Sequence, residues 1–174
     1  VEACEYTNSF LSFFPTIEVI LNVEADHLDF FKDIDDIRHS FKLFAEKLPE
    51  DGLLVINKDI KHSEYFTQAL KCRVVTFGHE KDADYTANFI SYDKFAHPSY
   101  TLFYKGEELA QVELGVTGEH NIYNSLAAVA VARSLDIPME VILRGLKRFT
   151  GTDRRFQKKG SVNGFTIIDD YAHP

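Results

Sequence analysis

Ile17-Glu18-Val19-Ile20-Leu21-Asn22-Val23-Glu24-Ala25-Asp26-His27-Leu28-Asp29 is the stretch on which the fold turns. From Ile17 to Val23 the run is mainly apolar and rich in β-branched residues, and it stops at a loop of acids around one imidazole. That pattern predicts a buried parallel strand emptying into a polar loop. In open α/β sheets, ligands bind at such strand ends. Before this stretch, Val1-Glu2-Ala3 reads as the tail of a neighbouring strand, and Phe10, Leu11, Phe13 and Phe14 supply packing until Pro15 stops the segment.

Outward from the strand, Ile34, Ile37, Phe41, Phe44 and Leu48 recur at three and four. Acids at Asp33, Asp35 and Asp36 and a base at Lys47 suit the two ends of a helix dipole, so the spacing predicts an amphipathic helix over 34–48. Pro49-Glu50-Asp51-Gly52 turns the chain into an apolar strand, Leu53 to Asn57, completing a βαβ unit. A helix within 60–70 and a strand from Arg73 to Phe77 continue the doubly wound pattern. From Ala83 to Leu114 the period changes to alternation, with turns at His97-Pro98 and Lys105-Gly106-Glu107, which predicts a small antiparallel sheet appended to the parallel one. Two helices follow, over 121–135 and 139–149. A hairpin is expected over 155–170, turning at Asn163-Gly164. The fold class is α/β, with a mostly parallel doubly wound sheet and a small appended antiparallel sheet.

A chain of 174 residues with 45% hydrophobic residues has enough apolar material for a sizeable core. A net charge of −8 opposes a phosphate backbone, so duplex nucleic acid is not an expected partner. The basic cluster Arg154, Arg155, Lys158 and Lys159 is short and suits a small anion. The two cysteines, Cys4 and Cys72, have neither metal-site nor disulfide-framework spacing, which fits a reducing compartment. With no bilayer-length apolar run and no signal-peptide pattern, the expected location is the cytoplasm and no membrane partner is expected. Both ends look cut, so the chain is expected to be part of something longer.

Asp26 and His27 at a strand end fit metal ligation or general-base work, and equally a solvated or capping role. Glu2, near a second strand end, would face the same crevice if the two strands are neighbours; alone it also reads as a loop carboxylate. Asn121 and Asn124, three apart at a helix start, share a face on which two carboxamides suit an adenine edge. Asn121 also fits a plain helix cap. In Gly151-Thr152-Asp153-Arg154-Arg155-Phe156, adjacent arginines beside a turn suit a phosphate, with one of the pair facing the site if the segment is a strand. Asp169 and Asp170 again place acids after an apolar strand, followed by Tyr171 and His173. Neither G-x-x-x-x-G-K-[ST] nor G-x-G-x-x-G occurs.

EACEYTNSFL, ILNVEADHLD, GEHNIYNSLAA, FTGTDRRFQ and IIDDYAHP, in this order and spacing, resemble the Mur ligases over nearly the whole chain. The resemblance implies an ATP-dependent ligase of peptidoglycan synthesis. Residues 1–149 would form most of the central ATP-binding domain, without its N-terminal part, and residues 150–174 the start of the C-terminal domain. It also implies ATP and Mg2+ as cofactors. Glu2 and His27 match the family's metal pair, and Asn121 and Asn124 its nucleotide-binding asparagines. Arg155 matches the arginine that reaches the ATP phosphates, and Asp170 the aspartate that binds nucleotide from the C-terminal domain. The implied catalytic residues are Glu2, His27 and Arg155. The carbamylated lysine of several relatives is not assigned, because Phe41, beside Lys42, takes that place. UDP-N-acetylmuramate and L-alanine are the substrates implied for the complete enzyme, which joins them through an acyl phosphate. A murein-peptide recycling ligase and a silent nucleotide-binding module stay as alternatives, and the chain by itself is expected to be inactive.

Overall fold

The structure is a computed structural model that describes residues 3–152 and 157–170. Leu53–Asn57 (β2) is covered on both faces, and four consecutive apolar side chains in it are buried. Leu53 and Val55 belong to a core with Phe77, Tyr100, Leu102, Ile122 and Leu126, whereas Leu54 and Ile56 belong to another with Ile20, Ala45 and Phe66. Successive residues of a strand point to opposite faces, so an unbroken apolar run marks a strand covered on both sides.

Ile17–Ile20 (β1) pairs with β2 in parallel, from Ile17 opposite Leu53 to Ile20 opposite Ile56. Arg73–Phe77 (β3) pairs in parallel along the other edge. Tyr85–Tyr92 (β4) joins β3 in parallel at Phe77 opposite Tyr85, and Pro98–Tyr104 (β5) and Glu107–Glu113 (β6) follow antiparallel. The six strands make one sheet in the order β1-β2-β3-β4-β5-β6. The antiparallel part is therefore appended edge to edge, as the alternating period implied.

One face is covered by Ile34–Ala45 (α1) and the short Glu64–Thr67 (α2), the other by His120–Ser134 (α3) and Met139–Arg148 (α4). Asp33 caps α1 through its carboxylate, which accepts from the amides of Asp35 and Asp36, both at 3.0 Å. In α3 the buried Ser125 hydroxyl lies 2.6 Å from the Tyr100 phenol and donates to the Ile122 carbonyl, so both buried polar groups are satisfied. Gln157–Val162 (β7) and Phe165–Asp169 (β8) form a separate two-stranded sheet. Its turn residues Asn163 and Gly164 have φ of 50° and 83°, the left-handed pair that a tight hairpin requires.

Several boundaries differ from the sequence reading. The strand expected to run to Val23 ends at Ile20. Beyond it the Leu21 carbonyl accepts from the Asn57 carboxamide, and Asn22 folds back to accept from the Val23 amide. The helix expected over 60–70 contracts to Glu64–Thr67, because Asn57 draws the amides of Asp59 and Ile60 into a turn and His62 has φ of 62°. α1 stops at Ala45, so Lys47 lies outside it and sits over the Phe14 ring instead. Of the apolar residues before Pro15, Phe10 is buried against Phe41 and Phe44, whereas Phe13 and Phe14 are exposed. The strand expected at Val1-Glu2-Ala3 falls mostly outside the described residues.

Candidate functional site

The carboxyl ends of the parallel strands are joined by a line of polar contacts. Asn57, the last residue of β2, donates from Nδ2 to the Leu21 carbonyl beyond β1 at 3.2 Å. Its Oδ1 accepts from the Asp59 amide at 2.9 Å. Asp59 in turn accepts from the His79 amide at 2.9 Å and the Glu80 amide at 3.1 Å, just beyond β3. Gly78 has φ of 150°, and a Cβ there would lie 2.8 Å from both Asp59 carboxylate oxygens, so the tight turn needs glycine.

The line continues through a side-chain chain. His79 Nδ1 lies 2.9 Å from Asp59 Oδ2 and Nε2 pairs with the Tyr123 hydroxyl on α3; with the Nδ1 proton directed at the carboxylate, Nε2 is the nitrogen that accepts from the phenol. The His79 and Tyr123 rings stack with centroids 4.0 Å apart. Burial, aided by Glu119, Asp59 and Tyr92, pushes the Tyr123 phenol up to about 12, so it stays protonated and able to donate. Sequence reasoning did not single out these three residues. The signal was available, because Asp59 and His79 each stand two residues beyond a predicted strand.

His27 stands seven residues beyond the end of β1, in a turn rather than at the strand terminus itself. Its φ is 53°, its amide donates to Asp26 Oδ1 at 2.7 Å, and its carbonyl accepts from the amides of Phe30 and Phe31. The ring stacks on Tyr6 with centroids 4.7 Å apart, and Nε2 lies 3.6 Å from Glu5 Oε1. Tyr6 is fixed by its hydroxyl, which donates to Asp29 Oδ2 at 2.8 Å and has its pKa raised by that bond. Glu5, Asn22, Glu24 and Asp26 line a cleft of about 200 Å³ whose apolar wall is Ile37 and Phe41. Lys42 turns elsewhere, lying over the Tyr65 ring and 3.9 Å from Glu46. Glu5 and Tyr6 were also passed over in the sequence, since their pairing with His27 spans 22 and 21 positions.

Asn121 and Asn124 come together at the start of α3. Asn124 Nδ2 donates to Asn121 Oδ1 at 3.2 Å, and Asn121 Nδ2 donates to the Thr117 carbonyl at 2.7 Å. The cap position belongs to Glu119, so Asn121 does not cap the helix. Asn124 is exposed and keeps its carbonyl oxygen and a second N–H, the acceptor and donor that match an adenine N6 and N7 edge.

Asp170 is exposed immediately after β8, and the neighbouring Asp169 lies 3.4 Å from Lys159. Glu2, Arg154, Arg155, Tyr171 and His173 lie outside the described residues. Among the described residues no three His, Cys, Asp or Glu side chains converge as a metal site. His27 with its neighbours therefore does not by itself supply the oxygen-rich set that magnesium requires.

The Mur ligase middle domain matches residues 3–132. UDP-N-acetylmuramate–L-alanine ligase of Lachnospira eligens is 60% identical over 173 residues, covering 99% of this chain and 38% of that protein. The ligase of the same name from Caldanaerobacter subterraneus is 45% identical over 172 residues, covering 99% of this chain and 37% of that protein. The UDP-N-acetylmuramate-alanine ligase structure from Thermotoga maritima has a TM-score of 0.79 at 28% identity, covering 96% of this chain and 37% of that one. MurF from Acinetobacter baumannii shares the fold, with a TM-score of 0.80 at 24% identity and coverage of 94% of this chain and 35% of that one. The chain thus spans under two-fifths of the length of these relatives. With the family's middle domain matched over most of its residues, this chain belongs to the Mur ligase family.

Proposed function

We propose that this chain is the central part of an ATP-dependent amide ligase that joins L-alanine to UDP-N-acetylmuramate in cytoplasmic peptidoglycan precursor synthesis. The observation that carries this reading is 60% identity to a ligase of that name along 99% of the chain. Residues 1–149 are assigned to the central ATP-binding domain and residues 150–174 to the start of the C-terminal domain. No helix among the described residues is long and apolar enough to cross a membrane.

In this reading the nucleotide lies along the carboxyl ends of β1, β2 and β3. Asn121 and Asn124 hold its base, Arg155 meets its phosphates, and Asp170 closes on it from the hairpin. ATP supplies the phosphoryl group that turns the muramoyl carboxylate into an acyl phosphate, and the alanine amine then displaces phosphate to form the amide. Glu2 and His27 are the proposed magnesium pair, and the assignment rests on Glu2 as well as on the described His27 loop. What the chain itself contributes is position. The Asp59, Asn57 and Gly78 turn fixes the strand ends, and the Tyr6 ring fixes His27. Holding reactants in place lowers barriers by ~7–11 kcal/mol in favourable cases.

Exchanging this segment for its counterpart in the Lachnospira eligens ligase tests the reading. The chimera should release phosphate and form product with ATP, UDP-N-acetylmuramate and L-alanine at a rate within about tenfold of the parent, a loss of ~1.4 kcal/mol or less in barrier terms. A folded chimera without ligation would overturn it.

A further inference from the structure

We propose that a second anion site, selective for a phosphate-sized oxyanion, lies at the opposite end of the sheet from the nucleotide crevice. A cleft of about 230 Å³ opens between the start of β3 and the end of α3, lined by Arg73, Asp84, Tyr85, Tyr104, Lys105 and Arg133, among others. It forms because β4 meets β3 only at Phe77, which leaves the first residues of β3 without a strand beside them.

Both arginines at this cleft are held by neutral partners. Arg133 donates to the Tyr85 hydroxyl at 3.0 Å and lies over the Tyr104 ring, 4.8 Å from its centroid. Arg73 donates to Ser134 Oγ, which itself donates to the Ala130 carbonyl. Among the described residues no carboxylate lies within ion-pairing distance of either guanidinium. The one acid in the cleft is already engaged: Asp84 accepts from the Thr76 amide and hydroxyl and faces Lys105 at 3.8 Å.

Two guanidinium groups ordered by hydroxyls and an aromatic face keep their charge available, and their planar donors suit a tetrahedral oxyanion. The Tyr85 hydroxyl, accepting from Arg133, retains its own proton for the same ligand. The end of α3 opposes an anion through its dipole, but that is a fraction of one charge against the two guanidinium groups of Arg73 and Arg133, with Lys105 offset by Asp84. A net charge of −8 makes two neighbouring guanidinium groups without a carboxylate partner among the described residues a local feature of the surface. The shared ligand chemistry is a phosphate dianion, either inorganic phosphate or the phosphoryl group of a small phosphomonoester. The site does not depend on the ligase reading.

The test is a nuclear magnetic resonance titration of the 174-residue chain with sodium phosphate against sodium chloride at matched ionic strength, and in parallel with glycerol 3-phosphate. Saturable shifts are expected at Tyr104, Lys105 and Ser134, with a dissociation constant of about 1 mM or below. Arg73→Gln and Arg133→Met should each weaken binding about tenfold or more, whereas Arg155→Met should leave these shifts in place. Arg73 is exposed, so its variant keeps the test open should Arg133→Met fail to fold. Tighter binding of glycerol 3-phosphate would identify a phosphomonoester as the ligand, and equal or weaker binding would identify inorganic phosphate. No saturable shift at these residues, unchanged affinity in both arginine variants, or loss of the shifts in Arg155→Met alone would overturn the proposal.

Discussion

Glu18 lies mid-strand in β1 opposite Leu54, 3% exposed, and neither of its carboxylate oxygens has a hydrogen-bond partner. Burial pushes its pKa from the ordinary 4.5 up to about 8, and the same carboxyl helps to raise the nearby Cys72 thiol after the thiol's own burial. Between those two values the folded chain holds a proton that the unfolded chain has released, so stability falls as pH rises through that window. At ~1.4 kcal/mol per unit the total is on the order of several kcal/mol. Urea unfolding at pH 5 and pH 8 should show this loss in the parent and not in Glu18→Leu, which matches the volume without the charge. Equal pH slopes in the two proteins would show that Glu18 ionises without cost. His27 calls for a different substitution, because its φ of 53° would strain an alanine as well as remove the imidazole. Asparagine tolerates that backbone. In a full-length ligase His27→Asn should lower turnover on the order of 10²-fold or more while stability moves by ~0.5 kcal/mol. A fall in melting temperature matching the fall in activity would instead make His27 a packing residue on Tyr6.

At the scale of elements, the Asp59–His79–Tyr123 chain ties the ends of β2 and β3 to the first turn of α3, which also carries Asn121 and Asn124. Breaking the chain should loosen both the helix start and the nucleotide contacts proposed for Asn121 and Asn124. Tyr123→Phe keeps the stacked ring and removes one hydrogen bond, at ~0.5–1.5 kcal/mol of stability. His79→Ala should cost a similar amount, and the double variant should cost less than the sum, since both changes remove one contact. Strict additivity in urea unfolding would mean that the two side chains do not act together. Most elements are legible in the sequence: β2 and β3 from their apolar runs, β4 to β6 from alternation, α1 from its period and the acids at its start. The helix expected over 60–70 was not, because a few apolar residues at helical spacing say nothing of the turn that Asn57 imposes on Asp59 and Ile60. β1 was overextended for a related reason. An apolar run records burial, but a strand also needs a pairing partner, and the β1–β2 ladder ends at Ile20.

For the molecule as a whole, the chain spans 38% of the Lachnospira eligens ligase and contains no phosphate-loop sequence. The isolated chain should therefore fold yet release no phosphate from ATP above background, with UDP-N-acetylmuramate and L-alanine present. The β- and γ-phosphates lack the backbone cradle and lysine that position them in related nucleotide hydrolases. Steady phosphate release at micromolar ATP would place the active site elsewhere in the chain. By itself the sequence determined the two covered faces of β2, the change from parallel to antiparallel pairing, the start of α1 marked by acids, and the family through its five motifs. Such features depend on residues a few positions apart, whose relative directions the backbone period sets directly. Only the tertiary structure decided that Glu5 and Tyr6 meet His27, that Asp59 meets His79 and His79 meets Tyr123, and that Arg73 shares a cleft with Arg133. Those groups are 20 to 60 positions apart, and period fixes which way a side chain points but not what the packed sheet and helices bring opposite it.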